Sequence, residues 1–92
     1  AHIPPMPAAQ AIIIYGSQTC DHCIEFLKQA DSAHIRYTFK DVEANMTYYN
    51  ELLSKIQKAN FEGYVSFPVI GFKDKIFVNP TFAEFIVLTR EN

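Results

Sequence analysis

The stretch Ala11-Ile12-Ile13-Ile14-Tyr15-Gly16-Ser17-Gln18-Thr19-Cys20-Asp21-His22-Cys23 changes hydrophobic period half-way along. Its first five residues form a continuous apolar run rich in β-branched side chains. Such a run fits a strand covered on both faces, as in a sheet flanked by helices. Gly16 to Thr19 reads as a loop. From Cys20 onward the apolar positions Cys23, Ile24, Phe26, Leu27 and Ala30 recur at helical spacing. Thr19 is the expected N-cap, and Asp21 suits the positive end of a helix.

Downstream, Ile35 to Phe39 alternates apolar residues with Arg36 and Thr38, which predicts a second strand. Asp41 to Asn45 is a polar turn, and Asn45 or Thr47 caps a helix carrying Tyr48, Leu52, Leu53, Ile56 and Ala59. The segment from Asn60 to Ser66, containing Gly63, ends it. Phe67 to Phe72 and Ile76 to Val78 read as a hairpin around Lys73-Asp74-Lys75. Asn79-Pro80-Thr81 opens a last helix, with Pro80 at its first turn. The order is therefore β-α-β-α-β-β-α, an α/β domain spanning residues 11–92. Residues 1–10, with three of the five prolines, read as an extended N-terminal arm.

A chain of 92 residues forms one domain, and an apolar fraction of 49% with 14% aromatic residues supplies a core. The net charge is −2, with Lys and Arg scattered along the chain, which argues against nucleic acid and against an anionic membrane surface. No apolar run is long enough to span a bilayer. Two cysteines are too few for a disulfide-stapled secreted scaffold. No export signal is legible at the start of the chain; a cytoplasmic location is the expectation, with periplasmic or exported alternatives open.

The chemistry concentrates at Cys20-Asp21-His22-Cys23. Two cysteines separated by two residues at the first turn of a helix are within bonding reach of one another. The helix start adds partial positive charge and unpaired N–H groups, which favour a thiolate. Cys20, at the exposed start, is the expected nucleophile; Cys23, one turn in, is the resolving thiol. A structural zinc site takes four ligands, commonly from two such pairs, and this chain has one pair. His22 favours a Cys20 thiolate if it is cationic or donates an N–H, whereas Asp21 opposes it. Both are modulating residues.

The Cys-x-x-Cys, the element order and Ser66-Phe67-Pro68-Val69 together resemble the glutaredoxin family, over about residues 11–90. The resemblance implies a thioredoxin/glutaredoxin-like fold: a four-stranded mixed sheet with three helices on its two faces. It also implies a cis Phe67–Pro68 bond beside the dithiol, with the Phe67 backbone offering hydrogen bonds to a bound thiol peptide. On that basis Ser66, Phe67, Pro68 and Asn79 are the expected substrate-binding residues.

The departures bear on the reductant. Asp21 and His22 stand where dithiol glutaredoxins carry Pro and Tyr. Ser17 stands where the family commonly has a lysine for a glutathione carboxylate. Val78-Asn79-Pro80-Thr81 replaces a Gly-Gly followed by acidic residues that holds the γ-glutamyl end. Val78-Asn79-Pro80 is more similar to glutaredoxin-like proteins reduced by thioredoxin reductase, and His22 resembles the His of periplasmic Cys-Pro-His-Cys oxidases.

The expected activity is thiol–disulfide exchange with protein or low-molecular-weight disulfides, fed by a thiol reductant system. No metal or organic cofactor is required, and glutathione is a candidate co-substrate. The alternative is a metal-binding module in which Cys20 and Cys23, with or without His22, hold copper, zinc or an iron–sulfur cluster shared between two chains. Phe61, Tyr64, Phe67, Tyr48 and Tyr49 are candidates for a peptide groove or for ordinary packing. His2 and His34 read as surface imidazoles, and Lys28, Lys55 and Lys58 as solvated charges. Glu25 and Asp41 read as surface carboxylates rather than proton acceptors for Cys23.

Overall fold

The structure is a computed structural model and describes residues 11–90. The expected arm 1–10, with His2, lies outside the described residues. The elements follow as β1 (Ile13–Gly16), α1 (Asp21–Ser32), β2 (Thr38–Asp41), α2 (Met46–Lys58), β3 (Val69–Phe72), β4 (Lys75–Val78) and α3 (Phe82–Arg90). The protein is α/β, with three helices and one four-stranded mixed sheet in the spatial order β2-β1-β3-β4.

Alternation of side chains along β1 and β3 divides the core in two. Ile12, Ile14, Ile70 and Phe72 meet Phe26 and Ala30 of α1 and Phe85 of α3 on one face. Tyr15 and Val69 meet Val42 and Leu52 on the other, with Tyr48 and Ile56 of α2 packed around them. Burying each such aliphatic or aromatic side chain contributes about 1.5–3 kcal/mol. On the first face Phe26 and Phe85 pack edge-on, with ring centroids 5.0 Å apart, and Phe82 joins them at 5.5 Å from Phe26.

Register sets where the loops go. β1 runs parallel to β2, with Gly16 opposite Asp41. It is antiparallel to β3, with Tyr15 opposite Val69, and Val69 is opposite Val78 of β4. The ends of β1, β2 and β4 and the start of β3 therefore lie at one edge of the molecule. Residues 17–20, 42–45, 66–68 and 79–81 emerge there together.

Several local expectations are corrected. Cys20, not Thr19, occupies the N-cap of α1, with φ −94° and ψ 113° and no side-chain cap. Thr19 is drawn away because its hydroxyl donates to Glu43 (2.7 Å). The second strand begins at Thr38 rather than Ile35, because residues after α1 are used to close the helix. His34 adopts φ 59°, its N–H bonds the Asp31 carbonyl, and the Ile35 N–H reaches back to Ala30 (both 3.0 Å). This is a Schellman closure with a histidine in the left-handed position usually held by Gly. Asn60 (φ 54°) closes α2 in the same way, ahead of Gly63.

Asn45 caps α2, its side chain accepting from the Thr47 and Tyr48 amides. Lys75 belongs to β4, and the hairpin turns on Lys73 and Asp74 alone, at φ 53° and 62°. Two consecutive positive φ angles are those of a type I′ turn, whose twist matches that of the strands. Pro80 precedes α3 instead of entering it. Thr81 and Glu84 cap that helix reciprocally: the Glu84 amide donates to Thr81 Oγ1 (3.1 Å), and the Thr81 amide donates to Glu84 Oε1 (2.8 Å).

Lys and Arg are scattered in sequence but not in space. Lys55 and Lys58 near the end of α2 and Lys73 and Lys75 of the hairpin line one groove with Ala11 and Gly71. The hairpin turn places that groove at the sheet edge away from the cysteines. Lys55 is half-buried, its Nζ 5.4 Å from the Tyr15 ring centroid, so it is not merely a solvated charge. Among the described residues, no helix is long and apolar enough to cross a membrane.

Candidate functional site

The end of β1 is built around a sulfur. A side chain at Gly16 would place its Cβ 2.9 Å from Cys23 Sγ and 3.4 Å from the Phe39 ring, so a bare backbone is needed where strand and helix meet. Cys23 is fully buried and Cys20 is partly exposed; both are free thiols. The two lie close together, near enough for the Cys20 side chain to act on the ionisation of Cys23. Their positions thus match one accessible sulfur and one sealed sulfur close behind it.

Burial pushes the Cys23 thiol up from 9.0 to about 11. A hydrogen bond from the Ser17 backbone opposes this, while the Cys20 side chain and the Asp41 charge add to it. The thiol ionises near pH 9 in the unfolded chain but only near 11 when folded, so its contribution to stability is complete below pH 9 and is lost as pH rises towards 11. After allowance for solvent screening, the loss is roughly 1–2 kcal/mol. Urea midpoints of the reduced protein are expected to fall more steeply between pH 9 and 11 than those of Cys23→Ala. Parallel curves would contradict it.

His22 is exposed, and its Nε2–H donates to Asn79 Oδ1 at 3.1 Å. Asn79 in turn, at φ 48°, donates its backbone N–H to the Pro68 carbonyl at 2.8 Å. The expected modulating residue His22 and two of the expected substrate residues, Pro68 and Asn79, are therefore joined. The Phe67–Pro68 bond is cis and Pro68 is buried. Ser66 is half-buried, and the half-buried Phe67 packs against the α2-side core, as does Tyr48. Tyr64 is 88% exposed, and Phe61 and Tyr49 are exposed to a lesser degree.

The sequence did not announce a carboxylate network on the other side of the dithiol. Ser17 is buried; its hydroxyl donates to Glu43 and accepts from the Thr19 amide (3.1 Å). Asp41 accepts from the Gln18 amide (3.3 Å) and from the Glu43 and Ala44 amides (2.9 and 3.0 Å). Hydrogen bonds from Ser17 and Thr19 hold the Glu43 carboxyl below the usual range. Asp41 is half-buried and its charge reaches Cys23, which corrects its reading as a simple surface carboxylate. Glu25 is exposed. Asp41 and Glu43 lie more than twenty residues from the loop they brace. Only the parallel register of β1 and β2 brings them there.

Among the described residues, no group of three or more His, Cys, Asp and Glu side chains is arranged to hold a metal ion. No protein-family model matches the chain, and no curated protein matches it at a significant level.

Proposed function

We propose that this protein is a glutaredoxin-like thiol–disulfide oxidoreductase working through Cys20 and Cys23. The observation that carries the reading is the placement of a partly exposed thiol at the start of α1 close to a buried thiol one turn further on. The parallel β1–β2 pair, the two antiparallel pairs and the Pro68 loop beside His22 and Asn79 support a thioredoxin-type frame.

The Cys20 thiolate attacks one sulfur of a substrate disulfide, forming a mixed disulfide and expelling the other half as a thiolate that takes up a proton. Cys23, deprotonated, then attacks Cys20 Sγ, and the second substrate thiol leaves. The substrate gains two electrons and two protons, and the chain is left with a Cys20–Cys23 disulfide. A thiol reductant system in a reducing cytoplasm restores the dithiol. Ser66, the Phe67 backbone, Pro68 and Asn79 form the substrate-facing wall, and Asp21 and His22 set the poise. No metal or organic cofactor enters. Glutathione remains a candidate co-substrate, although Ser17 offers no cation for its carboxylate and is instead tied to Glu43.

Equilibration with glutathione redox buffers, followed by mass analysis, tests the reading. A reversible Cys20–Cys23 disulfide is expected, with a potential of about −270 to −200 mV for a reductant or near −120 mV for an oxidant. Failure to form that disulfide in any buffer would overturn the proposal.

A further inference from the structure

The loops around Cys20 carry a one-sided charge. Asp21 follows the nucleophile directly, Glu43 holds the hydroxyl of Thr19 before it, and Asp41 holds the Gln18 amide. Residues 16–23, 41–45, 66–69 and 78–81, which make up this edge, contain no Lys or Arg. Lys40 adjoins Asp41 in sequence, but its Nζ pairs with Glu51 at 2.7 Å and lies 5.3 Å from the Tyr48 ring centroid, on the α2 face. Lys55, Lys58, Lys73 and Lys75 gather in the groove at the far edge. Among the described residues, no side chain at the dithiol edge except His22 can offset the acids. Glu43, stabilised as a carboxylate by its two hydroxyl donors, stays ionised at neutral pH.

We infer that this acidic rim selects the substrate class: disulfides flanked by positive charge are preferred, and anionic disulfides are disfavoured. The inference rests on the oxidoreductase reading and specifies what that activity acts on. A disulfide approaching Cys20 brings its neighbouring groups to within the screening length of all three carboxylates. Cationic groups there raise the encounter rate and stabilise the mixed disulfide, and carboxylates do the reverse. Ser17 contributes by its identity. With Thr19 it donates to Glu43 and fixes it in place, so the loop that precedes the nucleophile presents an acid. Asp21, Asp41 and Glu43 act through the field at the sulfur and are specificity-determining, not catalytic.

The test uses the pre-reduced full chain in single-turnover reactions with cystamine (dicationic), hydroxyethyl disulfide (neutral) and dithiodipropionate (dianionic). Each rate is divided by that of the same disulfide with 2-mercaptoethanol, which removes differences in leaving-group reactivity. At ~0.01 M ionic strength, where the screening length is ~30 Å, the normalised rate for cystamine is expected to exceed that for dithiodipropionate roughly tenfold; in ~1 M salt, with ~3 Å screening, the ratio falls below about threefold. Glu43→Gln keeps the side-chain shape and is expected to reduce the low-salt ratio about twofold. Asp21→Asn, on the exposed first turn of α1, should do the same without touching the Ser17 network. A low-salt ratio near one, or a ratio unchanged in both variants, would overturn the inference while leaving the oxidoreductase reading intact. Reaction with none of the three disulfides would overturn both.

Discussion

Cys20→Ser is expected to reduce disulfide exchange to the uncatalysed background, a loss of roughly a thousandfold or more, or about 4 kcal/mol of transition-state stabilisation. A serine hydroxyl is not ionised at neutral pH and forms no covalent bond to a disulfide sulfur. The buried Cys23 cannot replace it, because no substrate reaches a side chain with no exposed surface and burial disfavours its thiolate. Cys23→Ser is expected to behave differently. The first displacement survives, the second has no sulfur to complete it, and the substrate remains attached to Cys20 as a mixed disulfide. Mass analysis of both variants after exposure to hydroxyethyl disulfide separates the roles. An adduct on Cys23 in Cys20→Ser, or no adduct on Cys20 in Cys23→Ser, would reverse the assignment.

Phe85→Ala should have the largest effect on stability, costing about 3–5 kcal/mol. The ring is fully buried, fills the space between α3 and the sheet, and packs edge-on against Phe26. Its removal leaves a cavity that neighbouring β-branched residues cannot fill by rotating, and it breaks aromatic contacts worth about 0.5–1.5 kcal/mol each. Against a total stability of ~5–15 kcal/mol for a domain of this kind, the variant approaches unfolding. Val87→Ala on the same helix serves as the control. That side chain is 59% exposed, and its truncation should shift stability by less than about 1 kcal/mol. Equal losses in urea unfolding would show that α3 is not anchored through Phe85.

The change of period at Gly16 was enough to place the first strand, the loop and the helix, because β-branched burial and helical spacing are local properties. The pairing of Cys20 with Cys23 was legible for the same reason: two sulfurs one turn apart are neighbours whatever surrounds them. Boundaries shifted where chain ends had competing uses. Ile35 alternates like a strand residue, yet its N–H closes α1 on Ala30, a role that propensity does not reveal when the left-handed position is His34. Pro80 suited a first helical turn, but the Thr81–Glu84 reciprocal cap starts the helix after it.

The places of Asp41, which reads as a surface carboxylate, and of Glu43 are not legible for a different reason. Asp41 and Glu43 join the site through strand register, and a register is a long-range fact with no signature in a polar turn. The lysine groove was hidden in the same way, since α2 and the hairpin meet only in three dimensions.

Gly16 has a bearing on the history of the molecule as well as its present shape. The place a methyl group would take there is already occupied by the Cys23 sulfur, so the position can be filled only if that sulfur moves. Among divergent descendants of this chain, drift at residue 16 and loss of the thiol behind it should therefore travel together. A bare backbone at that point and a buried sulfur behind it are one requirement, not two.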